Sequence, residues 1–190
     1  MRSEGEKKAE EYRTGGLVAG VVGLVCVVLV AGVGLADPRL DFPVWGVALA
    51  VVVMVGVWAL MIRPCVRLEP TEVHLRNVFH DRWIPYAAID GIKINQVTRV
   101  MVGDTEIIGS GLGRSRRDIR LDAKVEKDVD HAVHHSVGWL VEERIRRRVR
   151  DAPPLDGDAA DAVRHEWAWP VIGALAGPAL LTVVLLLLGV

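Results

Sequence analysis

Three long runs without a charged side chain constrain this chain more than any other feature: Gly15 to Ala36, Val44 to Ile62, and Trp167 to Val190. A helix rises 1.5 Å per residue, so about 20 apolar residues cross a hydrocarbon core. Each run therefore predicts a transmembrane helix. Trp45 and Trp58 stand near the ends of the second run and Trp167 and Trp169 at the start of the third, where interfacial aromatics belong. Pro170 falls in a first turn, where it is tolerated, and Pro178 is expected to kink the third span. No run holds an ionisable acid, base or histidine, which argues against an ion or proton pathway through this chain alone.

The first run has a rival reading, since Gly34 and Ala36 before Asp37 resemble a small-x-small cleavage site. The stretch is too long for a signal-peptide core, and Cys26 follows a valine rather than the small residue that lipoprotein acylation requires. It is read as a retained helix. Asp37 to Pro43 is too short to do more than turn the chain back, so the first two spans form an antiparallel hairpin. The tail before it carries Arg2, Lys7, Lys8 and Arg13, the connection only Arg39, and Arg63, Arg67, Arg76 and Arg82 follow the second span. The positive-inside rule then places the N-terminus and the segment after the hairpin in the cytoplasm, and the C-terminus outside, in a multi-pass plasma-membrane protein.

The chain of 190 residues is 51% hydrophobic and yet 25% charged, which means segregation: spans on one hand, a polar globular part on the other. Asp and Glu total 24 against 23 Lys and Arg, so no overall field favours a nucleic-acid partner. Cys26 and Cys65 provide no disulfide framework.

From Val66 to Leu68, Val73 to Phe79 and Trp83 to Tyr86, apolar and polar residues alternate over short runs, the mark of half-buried strands. Trp83 and Ile84 are placed in a strand pair opposite Val73 to Phe79, and both are expected to support its stability. Within this stretch Arg76, Asn77, Asp81, Arg82, Ile84, Pro85, Tyr86 and Ile89 form a pattern of a strand ending in Arg-Asn, a basic turn, Ile-Pro-aromatic and a following Ile. In this the chain resembles the bacterial PH-like domains of small actinobacterial membrane proteins, of the low-molecular-weight-antigen type. Tyr86 stands where Trp is commoner in that family. The resemblance covers roughly Arg63 to Arg150, and it implies a small β barrel capped by a C-terminal helix.

The rest of that region is read as strands at Val97 to Val102, Thr105 to Ile108 and Asp118 to Leu121, completing six or seven. Val125, Val129, Ala132, Val133, Val137, Leu140, Val141, Ile145 and Val149 then recur at helical spacing. Asp151 to Asp161 is acidic with Pro153, Pro154 and Gly157, so a linker follows. The expected organisation is an α+β membrane protein: tail 1–14, helical hairpin 15–62, cytoplasmic PH-like domain 63–150, linker 151–166, third span 167–190.

Two basic clusters are the candidate sites. Gly109 to Gly113 with Arg114, Arg116 and Arg117 reads as a mobile hairpin tip or as a contact for anionic headgroups. It lacks the strand-loop-helix context and the Lys-Ser/Thr ending of a nucleotide loop. Arg144, Arg146, Arg147, Arg148 and Arg150 complement a helix dipole, and near an anionic leaflet each gains about 1 kcal/mol; a solvated helix end and a lipid contact are both open. His131 and His135 share a helical face with His134 nearby, but no third metal ligand or protease glutamate accompanies them. Ser110, Ser115 and Ser136 lack a nucleophile motif. Gly16 and Gly20, and Gly173 and Gly177, have the spacing that lets helices approach closely. No cofactor or enzymatic activity is expected. The sequence points to a module that binds protein or anionic lipid at the bilayer, with an accessory subunit of a membrane complex as the alternative.

Overall fold

The computed structural model describes residues 9–13, 16–37, 39, 42–125, 135–155 and 157–189. The chain forms two compact units: Gly15–Arg63 with Trp167–Val190, and Met1–Thr14 with Pro64–Glu166.

The first unit is helical. Helices α1 (Gly16–Ala36), α2 (Val44–Val57, continued by a π-helical turn Trp58–Ile62) and α5 (Trp169–Leu188) carry the three runs, and each is long and apolar enough to cross a membrane. α2 packs against both α1 and α5. A Cβ at Gly20 would stand 2.9 Å from the Ile62 side chain, and one at Gly16 would stand 3.3 Å from the Met61 carbonyl, so these glycines do permit a close crossing. Gly173 and Gly177 do not: nothing lies within 4 Å of either, and α5 buries Val171 and Thr182 instead. At the far end of the hairpin the Phe42 ring wedges against Gly34 and Gly46, and the Asp37 carboxylate accepts the Arg39 amide at 3.0 Å. α5 runs on through Pro178, whose carbonyl accepts the Thr182 hydroxyl at 2.8 Å.

The second unit is built from antiparallel strands in two sheets. One has the order β1 (Glu10–Tyr12), β2 (Cys65–Leu68), β3 (Glu72–Arg76), β4 (His80–Pro85), β8 (Arg164–Trp167); the other is β5 (Gly91–Ile94), β6 (Thr98–Val102), β7 (Thr105–Gly109). The expected barrel is thus not closed. A 3-10 turn, Tyr86–Ala88, separates β4 from β5, and the ladder is not resumed across it among the described residues.

Pairing Val66 with Leu75 and Val73 with Ile84 puts the apolar alternation on one face. With Ile94, Val100 and Val102 of the second sheet these side chains form a core closed to water. Neighbouring strand residues point to opposite faces, so Trp83 cannot join Ile84 inside. It stacks on His74, 4.4 Å between centroids, with the Arg164 guanidinium 5.3 Å over its ring.

Four further stretches differ from their sequence reading. Glu10 to Tyr12, in the supposed tail, is a strand beside β2. Asp118 to Leu121 lies in a helix, α3 (Arg116–Val125). The reason is a capping box: the Ser115 hydroxyl accepts the Asp118 amide at 3.1 Å, and the Asp118 carboxylate accepts the Ser115 amide at 3.1 Å. The long apolar helical repeat is interrupted, because α4 starts only at Val137, with Ser136 accepting the Trp139 amide at 3.3 Å. Val129, Ala132 and Val133 lie outside the described residues. α4 (Val137–Arg150) packs on β5 and the 3-10 turn and buries Val141 and Ile145. Beyond it Ala152, Leu155, Ala159, Ala162 and Val163 pack on the same core, so the stretch read as a linker is held down.

Candidate functional site

The apolar stripe Val141, Ile145, Val149 turns one side of α4 to the core, and helical spacing sets Arg144 and Arg148 beside that stripe. Arg144 donates to the Glu10 carboxylate and, at 2.7 Å, to the Tyr12 hydroxyl. Arg148 donates to the Glu69 carbonyl at 2.8 Å and to the Tyr86 hydroxyl at 2.9 Å. Tyr86 in turn donates to the Glu69 carbonyl at 2.9 Å. The Tyr12 hydroxyl above all, then Arg144 and Arg148, holds the Glu10 carboxyl below the usual range against slight burial. Burial pushes the Tyr86 phenol up, partly offset by Arg148. These two arginines clasp β1 and the β2–β3 turn to α4.

Arg146 pairs with Glu142, and Arg150 lies 3.4 Å from Glu143. Arg147 is exposed and makes no ion pair among the described residues. Beside Arg148 lies an open cleft of about 490 Å³, walled by Pro70, Pro85, Tyr86, Pro153 and Leu155.

The glycine cluster is not the loose hairpin tip expected of it but is packed against two other segments of main chain. Gly111 lies against the Cys65 backbone and Gly113 against the Gln96 carbonyl, so that a Cβ on either would collide with main chain. The Asn77 side chain pins the segment, accepting the Ser110 amide at 2.8 Å and donating to the Ile108 carbonyl at 3.0 Å. Thr98, wholly buried, donates to the Leu112 carbonyl at 2.8 Å. The close approach of two backbones is what these glycines supply.

Arg114 is also turned inward. Its guanidinium donates to the Ile94 carbonyl at 2.5 Å, to Glu142 at 2.5 Å and to Asp122 at 3.2 Å. Glu142 accepts the Ile94 amide at 2.9 Å, and Asp122 accepts the Ser136 amide at 2.9 Å and hydroxyl at 2.5 Å. Burial alone would raise the Asp122 carboxyl; the bonds from Ser136 and Arg114 outweigh it and hold the group below the usual range. This network ties β5, α3 and α4 together. Sequence reasoning missed it, although Glu142 at the head of an arginine run and Asp122 in a basic stretch were visible as acids without an obvious use.

Of the sequence-predicted residues, Arg114, Arg144, Arg146, Arg148 and Arg150 thus have acidic or polar partners within the protein. Arg116, Arg117 and Arg147 are exposed, without side-chain partners among the described residues, and so is Arg120, which the sequence reading had not singled out. His135 stacks on Trp139 at 3.7 Å; His131 and His134 lie outside the described residues. Ser115 and Ser136 cap helices, and Ser110 donates to Asn77 at 3.0 Å. Among the described residues no three His, Cys, Asp or Glu side chains converge as metal ligands would. Comparison with protein-family models, with curated proteins and with solved structures finds no match.

Proposed function

We propose that this chain is a non-enzymatic integral membrane protein that holds a PH-like β module at the cytoplasmic face of the plasma membrane, as a platform for protein or anionic-lipid contacts. One observation carries the reading: three of the five strands in the larger sheet continue into the three apolar helices. Only Arg13 to Gly15 separate β1 from α1, Arg63 and Pro64 separate the π turn from β2, and Ala168 separates β8 from α5. Each link is three residues or fewer, so strand and helix follow one another with almost no intervening chain. A sheet tied at three points has a use if what it recognises is itself at the membrane. The Arg-Asn and Ile-Pro-Tyr pattern at Arg76 to Tyr86 supports the PH-like assignment.

A second reading, an accessory subunit of a larger membrane complex, is favoured by α5, where Gly173 and Gly177 are exposed with nothing against them. Purification from native membranes in mild detergent separates the two. A single chain whose module binds vesicles supports the platform. A stoichiometric partner that is lost in Gly173→Leu and Gly177→Leu supports the subunit.

A further inference from the structure

We propose that α3 is a bilayer-contact helix, and that Arg116, Arg117, Arg120 and Leu121 on its outer face bind anionic lipid headgroups. The inference rests on the membrane reading above and deepens it by naming the surface and its ligand.

The charge on α3 is unbalanced by design of its contacts. Both of its acids are used internally: Asp118 completes the cap with Ser115, and Asp122, 6% exposed, holds Ser136 and Arg114. The arginines are left over. Arg116, Arg117 and Arg120 are exposed, and no side-chain partner meets them among the described residues. Two of them occupy the first turn, where the helix dipole is positive and a cation is unfavourable, so the positive potential there is raised rather than relieved. An anion is what such a surface attracts.

The apolar residue decides between a dissolved anion and a membrane. Leu121 is 48% exposed and shares a face with Arg117, four residues before it, which in turn neighbours Arg120 three residues on. A basic face carrying a leucine is the composition of helices that lie in a headgroup layer, with cations among the phosphates and the apolar side chain below them. A soluble phosphate would use the arginines and leave Leu121 in water. The connectors before α1, before β2 and before α5 are three residues or fewer, so the unit that carries this helix is covalently tethered to the apolar helices at three points and does not diffuse freely.

The test uses the full chain reconstituted in vesicles of phosphatidylcholine alone or mixed with phosphatidylglycerol. In a Cys26→Ser background, with Cys65 fully buried, Leu121→Cys is labelled with an environment-sensitive fluorophore. Emission should shift to the blue, and be quenched by headgroup spin labels, in the anionic vesicles only. Each arginine near such a surface is worth roughly a fivefold change in the docked population, so Arg116→Gln with Arg117→Gln and Arg120→Gln should abolish the shift, as should high salt. A water-like signal in both vesicle types overturns the proposal. So does a shift that appears only when an acidic soluble protein is added, which makes the face a protein-docking surface. Loss of the chain from the vesicles in alkaline carbonate, by contrast, overturns the underlying membrane reading whatever the fluorophore reports.

Discussion

Arg114 and Glu142 meet at 2.5 Å with side chains only 10% and 6% exposed, and the same carboxylate holds the Ile94 amide. One ion pair therefore fixes α4 to the edge of the second sheet. Removing one partner of a buried pair leaves the other charge stranded, at a cost of about 3–5 kcal/mol. Arg114→Met should lower the unfolding midpoint of the purified protein steeply, as followed by the fluorescence of Trp83 and Trp139. Arg114→Met combined with Glu142→Leu should recover much of the loss. Equal midpoints for all three proteins would show the pair to be incidental.

Acid should loosen the same region. The folded protein holds Asp122 below the usual carboxylate range, so its contribution is complete above the unfolded pKa of about 4 and is lost as pH falls through the lower folded value. Stability should be level from neutral pH to about 5 and decline below 4, and Asp122→Asn should flatten that decline. Glu10 is depressed too, but its side chain is 39% exposed, so screening leaves it little weight. Midpoints measured across acid pH decide the matter.

The glycines divide sharply. Gly113→Ala forces a Cβ into the Gln96 carbonyl, a backbone atom that cannot swing away, and should cost about 1–3 kcal/mol as an overpacked contact does. Gly173→Ala meets nothing and should be close to neutral in the isolated chain. Thermal melts of the two variants in detergent provide the comparison.

Side chains next to each other in β4 should respond unequally. Ile84 is wholly buried, and Ile84→Ala should cost about 2–5 kcal/mol. Trp83 stacks on His74 at the other face, and its replacement should cost nearer the ~1 kcal/mol of an aromatic contact. Limited proteolysis of the two variants ranks them; equal sensitivity would contradict the facing.

What could be read from the sequence was whatever depends on long or strictly periodic patterns. The apolar runs are legible because length and composition alone make each helix long and apolar enough to cross a membrane, and Val66, Val73, Leu75 and Ile84 announce their face by alternation. Glu10 to Tyr12 could not be seen as a strand, since three residues carry no period and their pairing depends on Val66 to Leu68 far along the chain. α3 was readable in principle: Ser115 three residues before Asp118 is a helix start, passed over in favour of another strand for a barrel. The glycine cluster misled because glycine marks both loose turns and tight backbone approaches, and only the position of Cys65 and Gln96 tells which. The arginines misled for a similar reason. A run of cations looks like a surface until Glu10, Glu142 and Asp122, distant in sequence, are seen to consume most of it.

The central claim is that the β module lies on the cytoplasmic side of three membrane spans, and cysteine accessibility tests it directly. In intact cells of a Cys26→Ser strain, a membrane-impermeant maleimide should label Arg39→Cys, in the hairpin connection. It should spare Asp104→Cys, in the exposed β6–β7 turn, until the cells are lysed. Labelling of Asp104→Cys in intact cells would place the module outside and contradict the account.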